Sequence, residues 1–225
     1  MTYILSDIHG HEGRFRSILK QIRLQPEDTL YILGDVIDRN PGGIRILLEI
    51  MAMPNAKMLL GNHEYMMLRA LGFPYDDNID DGRAMEHWYR NGGSITHQYF
   101  RLQRKTVRRE IIDYLLSLPL SFDLEEKGIR YKLVHGGPAE AFDHDPKYRG
   151  EAHFAVWKRW DAGAVWPRGY TMIFGHTPTS YYQDCAPMEL WRQEQGHIAI
   201  DCGSAYPQGR LCCLRLEDGE VFYSR

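Results

Sequence analysis

The first third of the sequence repeats one pattern. A short β-favouring run ends in a loop of Gly, Asp, Asn or His, and a helical stretch follows. The runs are Thr2–Leu5, Thr29–Leu33 and Ala56–Leu60. Phe15, Ile18, Leu19 and Ile22 recur at the i, i+3, i+4, i+7 spacing that places them on one helix face. Ile44–Ile50 follows Pro41-Gly42-Gly43 and is apolar enough to pack between a sheet and its neighbours. Strand, loop and helix in succession demand crossover connections, which join parallel strands. The chain is therefore read as α/β with a largely parallel inner sheet.

Residues 72–118 break this rhythm. They open with Gly72-Phe73-Pro74 and an acidic loop containing Asp76, Asp77, Asp80 and Asp81, then turn helical. Val107, Ile111, Tyr114, Leu115 and Leu118 form an apolar stripe that stops at Pro119. The segment is read as a helical insertion or cap within one domain spanning 1–225. Beyond it, Leu120–Leu124 and Ile129–Val134 flank Glu125-Glu126-Lys127-Gly128, a hairpin signal. Further strands are predicted at 171–174, 197–201, 210–216 and 220–224. The sum is an α/β fold whose metal-ligand residue types stand at strand ends, where open α/β sheets bind ligands.

Composition narrows the partners. A net charge of −3 gives no global attraction to nucleic acid or an acidic membrane, so any cationic site must be local. No run of about 18 apolar residues exists, which argues against a membrane span. The start MTYILSDIHG lacks the basic and apolar regions of a signal peptide, and a cytoplasmic location is expected. Cys185, Cys202, Cys212 and Cys213 show no C-x-x-C spacing and are read as free thiols. Adjacent Cys212 and Cys213 would point to opposite faces of a strand.

Five loops carry the chemical signal, each after a predicted strand. They are Asp7-Ile8-His9, Gly34-Asp35-Val36-Ile37-Asp38-Arg39, Gly61-Asn62-His63-Glu64, His135-Gly136-Gly137 and Gly175-His176-Thr177. Each alone is weak, since a Gly-Asn-His turn can be plain turn chemistry and a single histidine is commonly a core residue. In series at equivalent positions they point to a metal centre. Mixed Asp, Asn and His ligands favour Mn, Fe, Zn or Ni over calcium. Two ions about 3.5–4 Å apart need a bridge, which a carboxylate supplies. Two dications against ionised Asp7, ionised Asp35 and one hydroxide leave a formal charge of roughly +1, suited to phosphate.

These loops resemble the motifs of the calcineurin-like metallophosphoesterases. Gly-Asp-x-x-Asp-Arg and Gly-Asn-His-Glu are similar to the serine/threonine protein phosphatase branch, above all its bacterial and phage members. The match runs from Asp7 to Gly203. The resemblance implies a four-layer sandwich of two central mixed sheets flanked by helices. It implies that Asp7, His9 and Asp35 hold one metal while Asp35, Asn62, His135 and His176 hold a second, with manganese the first expectation. By the same resemblance a hydroxide bridging the metals attacks phosphorus. His63 protonates the leaving oxygen, Asp38 orients His63, and Arg39 clamps phosphate with Asn62 beside it. Trp157-Lys158-Arg159 resembles a tryptophan-x-arginine segment that adds a second clamp, Arg159. Arginine suits this task because it meets phosphate oxygens bidentately.

Two positions depart from that pattern. Asn40 stands where glycine is usual, and because Asn tolerates positive φ the turn is expected to survive. Ser6 precedes Asp7, also in place of glycine. Other features are read as structural. Arg101, Arg104, Lys105, Arg108 and Arg109 form a solvated helix face. Trp157, Trp160 and Trp166 belong to the core, and His11, His87, His97, His144, His153 and His197 join no motif. Tyr206 borders the pocket or packs on Pro207. The first functional expectation is hydrolysis of phosphomonoesters on proteins, serine/threonine or dual-specificity. The alternative is symmetrical cleavage of a dinucleoside polyphosphate, and a third class is an inactive metal-binding regulatory module. The acidic loop 76–81 would repel polyphosphate if it overhung the site.

Overall fold

A computed structural model describes residues 1–73, 75, 82–164, 169–193 and 196–225. The acidic loop 76–81, Pro74, Trp166 and Arg168 lie outside the described residues. Ten strands form two five-stranded sheets. In the first, β1 (Thr2–Leu5), β2 (Thr29–Ile32) and β3 (Ala56–Met58) are parallel, and β9 (Cys212–Arg215) and β10 (Val221–Tyr223) add antiparallel strands in the order β10-β9-β1-β2-β3. In the second, β5 (Ile129–Val134), β6 (Thr171–Phe174) and β8 (Ile198–Ala199) are parallel. There β4 (Ser121–Glu126) and β7 (Trp191–Arg192) form antiparallel edges in the order β4-β5-β6-β8-β7.

Side-chain alternation builds the layers. Tyr3 and Leu5 of β1, and Leu30 and Ile32 of β2, join a cluster with Phe15, Ile18, Ile44 and Leu47 from the helices. Ile4 and Tyr31, one residue out of phase, meet Leu133, Ile173, Ile198 and Leu214 between the sheets. Met172 and Phe174 face the far side of the second sheet with Val134 and Trp160. A period of two thus sorts each strand between two apolar layers, and each fully buried Ile or Leu contributes roughly 1.5–3 kcal/mol. Cys212 and Cys213 split between the layers as expected, and all four cysteines are free thiols.

The helices α1 (Glu12–Ile22), α2 (Gly43–Ala52) and α3 (Asn62–Ala70) follow β1, β2 and β3. Then come α4 (Ala84–Arg90), α5 (Gly93–Arg101) and α6 (Lys105–Ser117), in the segment read as an insertion. Trp88, Phe100, Ile111 and Leu115 from these helices enter the same cluster as β1 and β2. The last helix, α7 (Glu151–Trp157), adds Ala152 and Val156 to it. Over the second sheet, the outer layer is made by Trp160, Tyr170, Tyr182 and Trp191 around a 3-10 turn at Thr179–Tyr181.

The structure trims the expected strands at 29–33, 56–60, 197–201 and 210–216, and adds the two-residue β7. Several trimmed residues keep ladder-type bonds beyond the assigned strand ends, Leu33 N to Leu5 O, Leu59 N to Ile32 O and Ile200 N to Phe174 O. β7 is too short for any periodic signal. Among the described residues no helix is long and apolar enough to cross a membrane.

Candidate active site

All five motif loops leave the C-terminal ends of parallel strands: β1, β2 and β3 of one sheet, β5 and β6 of the other. The parallel ladder extends past the strands into the loops. Asp7 N donates to Gly34 O, His9 N to Asp35 O and Gly10 N to Val36 O, at 3.1, 2.9 and 2.7 Å. Two bonds then tie the sheets together, His176 N to Asp7 Oδ2 at 3.0 Å and His135 Nδ1 to Leu33 O at 2.6 Å. The loops are therefore held rigidly against one another.

That rigidity supports an unusual backbone. Asp7, His9, Asp35, Asp38, Arg39 and His176 all adopt positive φ, between 49° and 72°. For a residue with Cβ this conformation costs about 1–2 kcal/mol, and such strain persists only where surrounding bonds over-determine it. Asn40, expected to take the positive φ, does not; the turn places it on Asp38 and Arg39 instead. Asn40 donates from Nδ2 to His9 O at 2.9 Å, so its role is to join two loops. Ser6 donates its hydroxyl to Asp7 Oδ2, which orients a predicted ligand.

The six expected ligands converge and are buried, none more than 6% exposed. Asp35 lies between two groups. Its Oδ2 stands 3.7 Å from His9 Nε2, and its Oδ1 stands 3.4 Å from His135 Nε2. His9 Nε2 is 3.9 Å from Asp7 Oδ1. Asn62 Oδ1 is 2.9 Å from His135 Nε2 and 2.8 Å from His176 Nδ1. Ligand atoms of His9, Asp35 and His63, and of Asp35, His135 and His176, lie close enough to enclose an ion.

The donor set fits cations. A neutral His135 that donates Nδ1–H to Leu33 O turns the lone pair of Nε2 toward Asn62 Oδ1, so two acceptors face each other unless a positive charge sits among them. Burial pushes the Asp7 and Asp35 carboxyls well above the usual range, reinforced by Asp201 beside Asp7 and by Glu64 beside Asp35. Burial holds the His9, His63 and His176 imidazoles well below theirs. Each group is destabilised in its own charged form, and a bound dication reverses that sign for the carboxylates.

His63 can be read in two ways. Its Nε2 is 3.8 Å from Asp35 Oδ2, within reach of a ligand position. Arg39 Nη2 also stands 3.4 Å from that nitrogen, and a guanidinium there disfavours a second cation. The other ring nitrogen, Nδ1, pairs with Asp38 Oδ2 at 2.7 Å. Burial raises Asp38 to about 7, against the lowering effect of Thr96, Trp88 and Arg39. Arg39 and Arg159 both line the cleft, with Asn91, Trp157, Asp201 and the half-exposed Tyr206. Arg39 lies over the Tyr206 ring, 5.8 Å from its centre. Trp157, read as core, packs against that cluster and also walls the cleft.

Sequence reasoning passed over Glu64. This fully buried carboxylate accepts from Val36 N and Ile37 N through Oε1, and from Asp35 N and Gly61 N through Oε2. Its signal was present, since an acid at the third position of a helix commonly reaches back to the N-cap amide. Gly61 permits the approach: a Cβ there would meet Asp35 N and Oδ1 at 2.3 Å. Glu64→Gln turns one of the two oxygens into a donor, so two buried amides lose their acceptor whichever way the amide is placed. At about 1–3 kcal/mol for each orphaned group, the expected loss is about 2–6 kcal/mol. Urea denaturation measures it, and a loss below about 1 kcal/mol would show the loops to be held by other means.

The family model for calcineurin-like phosphoesterases matches residues 2–202. A symmetrical bis(5'-nucleosyl)-tetraphosphatase of Salmonella paratyphi A is 33% identical, with 98% of this chain and 93% of that protein covered. Among solved structures, one described as a putative diadenosine tetraphosphatase superposes with TM-score 0.64 at 18% identity, covering 99% of this chain and 91% of that one. A Saccharomyces cerevisiae protein serine/threonine phosphatase superposes with TM-score 0.60 at 14% identity, covering 100% and 79%. The loop geometry, the matched span and the full-length likeness agree, and the chain belongs to the calcineurin-like phosphoesterases, hydrolases that act on phosphoester bonds.

Proposed function

We propose that this enzyme hydrolyses dinucleoside polyphosphates symmetrically, in the cytoplasm, with two divalent ions held by Asp7, His9, Asp35, Asn62, His135 and His176. The observation that carries the substrate class is the cleft wall, where two arginines, Arg39 and Arg159, stand with two rings, Trp157 and Tyr206, around the ligand cluster. A ligand with several phosphates between two flat bases matches that set, because guanidinium forks meet phosphate oxygens and rings stack on bases. The full-length likeness to a symmetrical tetraphosphatase supports the same class. The charge objection drawn from the acidic loop falls on residues 76–81, which lie outside the described residues.

When bound, the ions polarise the phosphoryl oxygens and make water nucleophilic at neutral pH. The chain's own residues do the rest. Arg39 and Arg159 orient the phosphate under attack and offset charge as it develops. His63, held through Nδ1 by Asp38, presents Nε2 to the departing oxygen and gives it a proton. Water adds across the central P–O–P link, so a tetraphosphate yields two nucleoside diphosphates.

A second reading, hydrolysis of phosphoserine or phosphothreonine in proteins, is favoured by the same His63–Asp38 pair. An alkoxide is a poor leaving group and gains more from a positioned acid than a phosphate does. The manganese-loaded protein is assayed in parallel on diadenosine tetraphosphate and on phosphopeptides. ADP as the only nucleotide product, formed faster than phosphate from the peptides, is the expected result. An intact dinucleotide beside rapid dephosphorylation of the peptides would replace the first reading with the second.

A further inference from the structure

Beside His63 of the motif loops, residues of α4, α5 and the turn between them hold the Asp38–Arg39 corner. Trp88, fully buried in α4, donates its indole N–H to Asp38 Oδ2 at 2.8 Å. This is the same oxygen that meets His63 Nδ1 at 2.7 Å. The indole and the imidazole therefore share Oδ2, and Thr96 acts on the same carboxyl, lowering it against burial. On α5, buried Thr96 accepts from Asp38 N at 2.9 Å. Gly92 O accepts from Arg39 N at 3.2 Å in the turn between the helices. Asp38 and Arg39 both adopt positive φ, so the corner would relax without such restraints.

The helix pair is built around the indole. A Cβ at Gly93 would meet three atoms of the Trp88 ring at 2.3–2.5 Å, so only glycine lets α5 start against it. The His97 ring lies 5.5 Å from Trp88 on the side facing α5. The indole is thus fixed in orientation before it meets Asp38, and its N–H has one place to point.

We propose that Trp88 is a positioning residue for proton donation. Its N–H holds Asp38 Oδ2 in line with His63 Nδ1, which in turn aims His63 Nε2 at the leaving oxygen. This rests on the reading of His63 and Asp38 as the proton-donating pair and extends it to the α4–α5 segment. Two hydrogen bonds converge on Oδ2 from different directions and together define where the carboxylate sits. With the indole N–H removed, Oδ2 loses one of the two bonds that fix its direction, and the imidazole it holds can shift with it.

The test compares substrates that differ in their need for a proton. A nitrophenolate departs without one, and an alkoxide does not. Trp88→Phe, and a variant with 3-benzothienylalanine at position 88 that keeps the ring shape without the N–H, are assayed on p-nitrophenyl phosphate and on a phosphoserine peptide. The kcat for the peptide is expected to fall about tenfold to a hundredfold. The kcat for p-nitrophenyl phosphate is expected to stay within about threefold, with metal content by mass spectrometry unchanged. In a His63→Asn background the Trp88 change should add no further discrimination, because the acid it aims is gone. If His63→Asn itself does not discriminate between the substrates, the proton-donor reading fails. If His63→Asn discriminates and the Trp88 variants lower both rates equally, or neither, the indole is only structural and the proposal is overturned. Where Trp88→Phe does not fold, the benzothienyl variant decides.

Discussion

Asp35→Asn is expected to bind far less manganese and to lose at least about 10³-fold in kcat, the several kcal/mol that metal polarisation supplies. The carboxylate's two oxygens face different ligand groups, Oδ2 toward His9 and Oδ1 toward His135, so one substitution weakens both sides. An unfolded variant would give the same loss, and the pH dependence separates the cases. In the metal-free chain, burial and Glu64 raise the Asp35 carboxyl well above 3.8. A group raised on folding gives its stability below the unfolded value and loses it as pH climbs through the folded one. Above pH 4 the parent therefore pays for Asp35 and the amide does not. The metal-free variant should be at least as stable as the metal-free parent at pH 7, and its relative advantage should grow from pH 4 upward. A variant that holds its full complement of metal and stays active would overturn the bridging assignment. One that melts well below the metal-free parent would show that Asp35 is needed for the fold.

His63→Asn is expected to retain its metal and lose about 10²–10⁴ in kcat on a phosphoserine peptide, the range a positioned acid contributes. On p-nitrophenyl phosphate the loss should be much smaller. Metal retention is the decisive readout, because His63 Nε2 sits near enough to Asp35 to serve as a ligand. If metal leaves together with activity, His63 belongs to the first coordination group and not to the proton-donating pair. The Nδ1 partner Asp38 is compatible with both outcomes, since carboxylates orient acid histidines and ligand histidines alike. Only the binding measurement divides them.

The convergence of the motif residues was legible because a parallel sheet gathers its strand ends on one edge. Five loops, each after a β-favouring run, carry Asp, Asn and His, and a parallel sheet places such ends on one edge whatever the intervening helices do. Glu64, though named within a motif, was given no role, and Trp88 and Thr96 were not singled out, for a common reason. They act on backbone amides or on another side chain far along the chain, and a buried Trp or Thr on a helix has no local signature that separates packing from hydrogen bonding. Asn40 misled for the opposite reason. Its propensity for positive φ is real, but a turn distributes strain according to the tertiary bonds that hold it, and those bonds placed it on Asp38 and Arg39.

The sequence by itself determined the α/β class and the placement of Asp, Asn and His residues at strand ends. Local patterns are enough for that, because backbone periodicity and donor type are properties of short segments. Only the tertiary structure decided how two sheets bring β1–β3 loops against β5 and β6 loops, which oxygen of Asp35 faces which histidine, and what holds Asp38. Those depend on contacts between residues such as Asp38 and Trp88, fifty positions apart, whose geometry is set by the packing of whole layers.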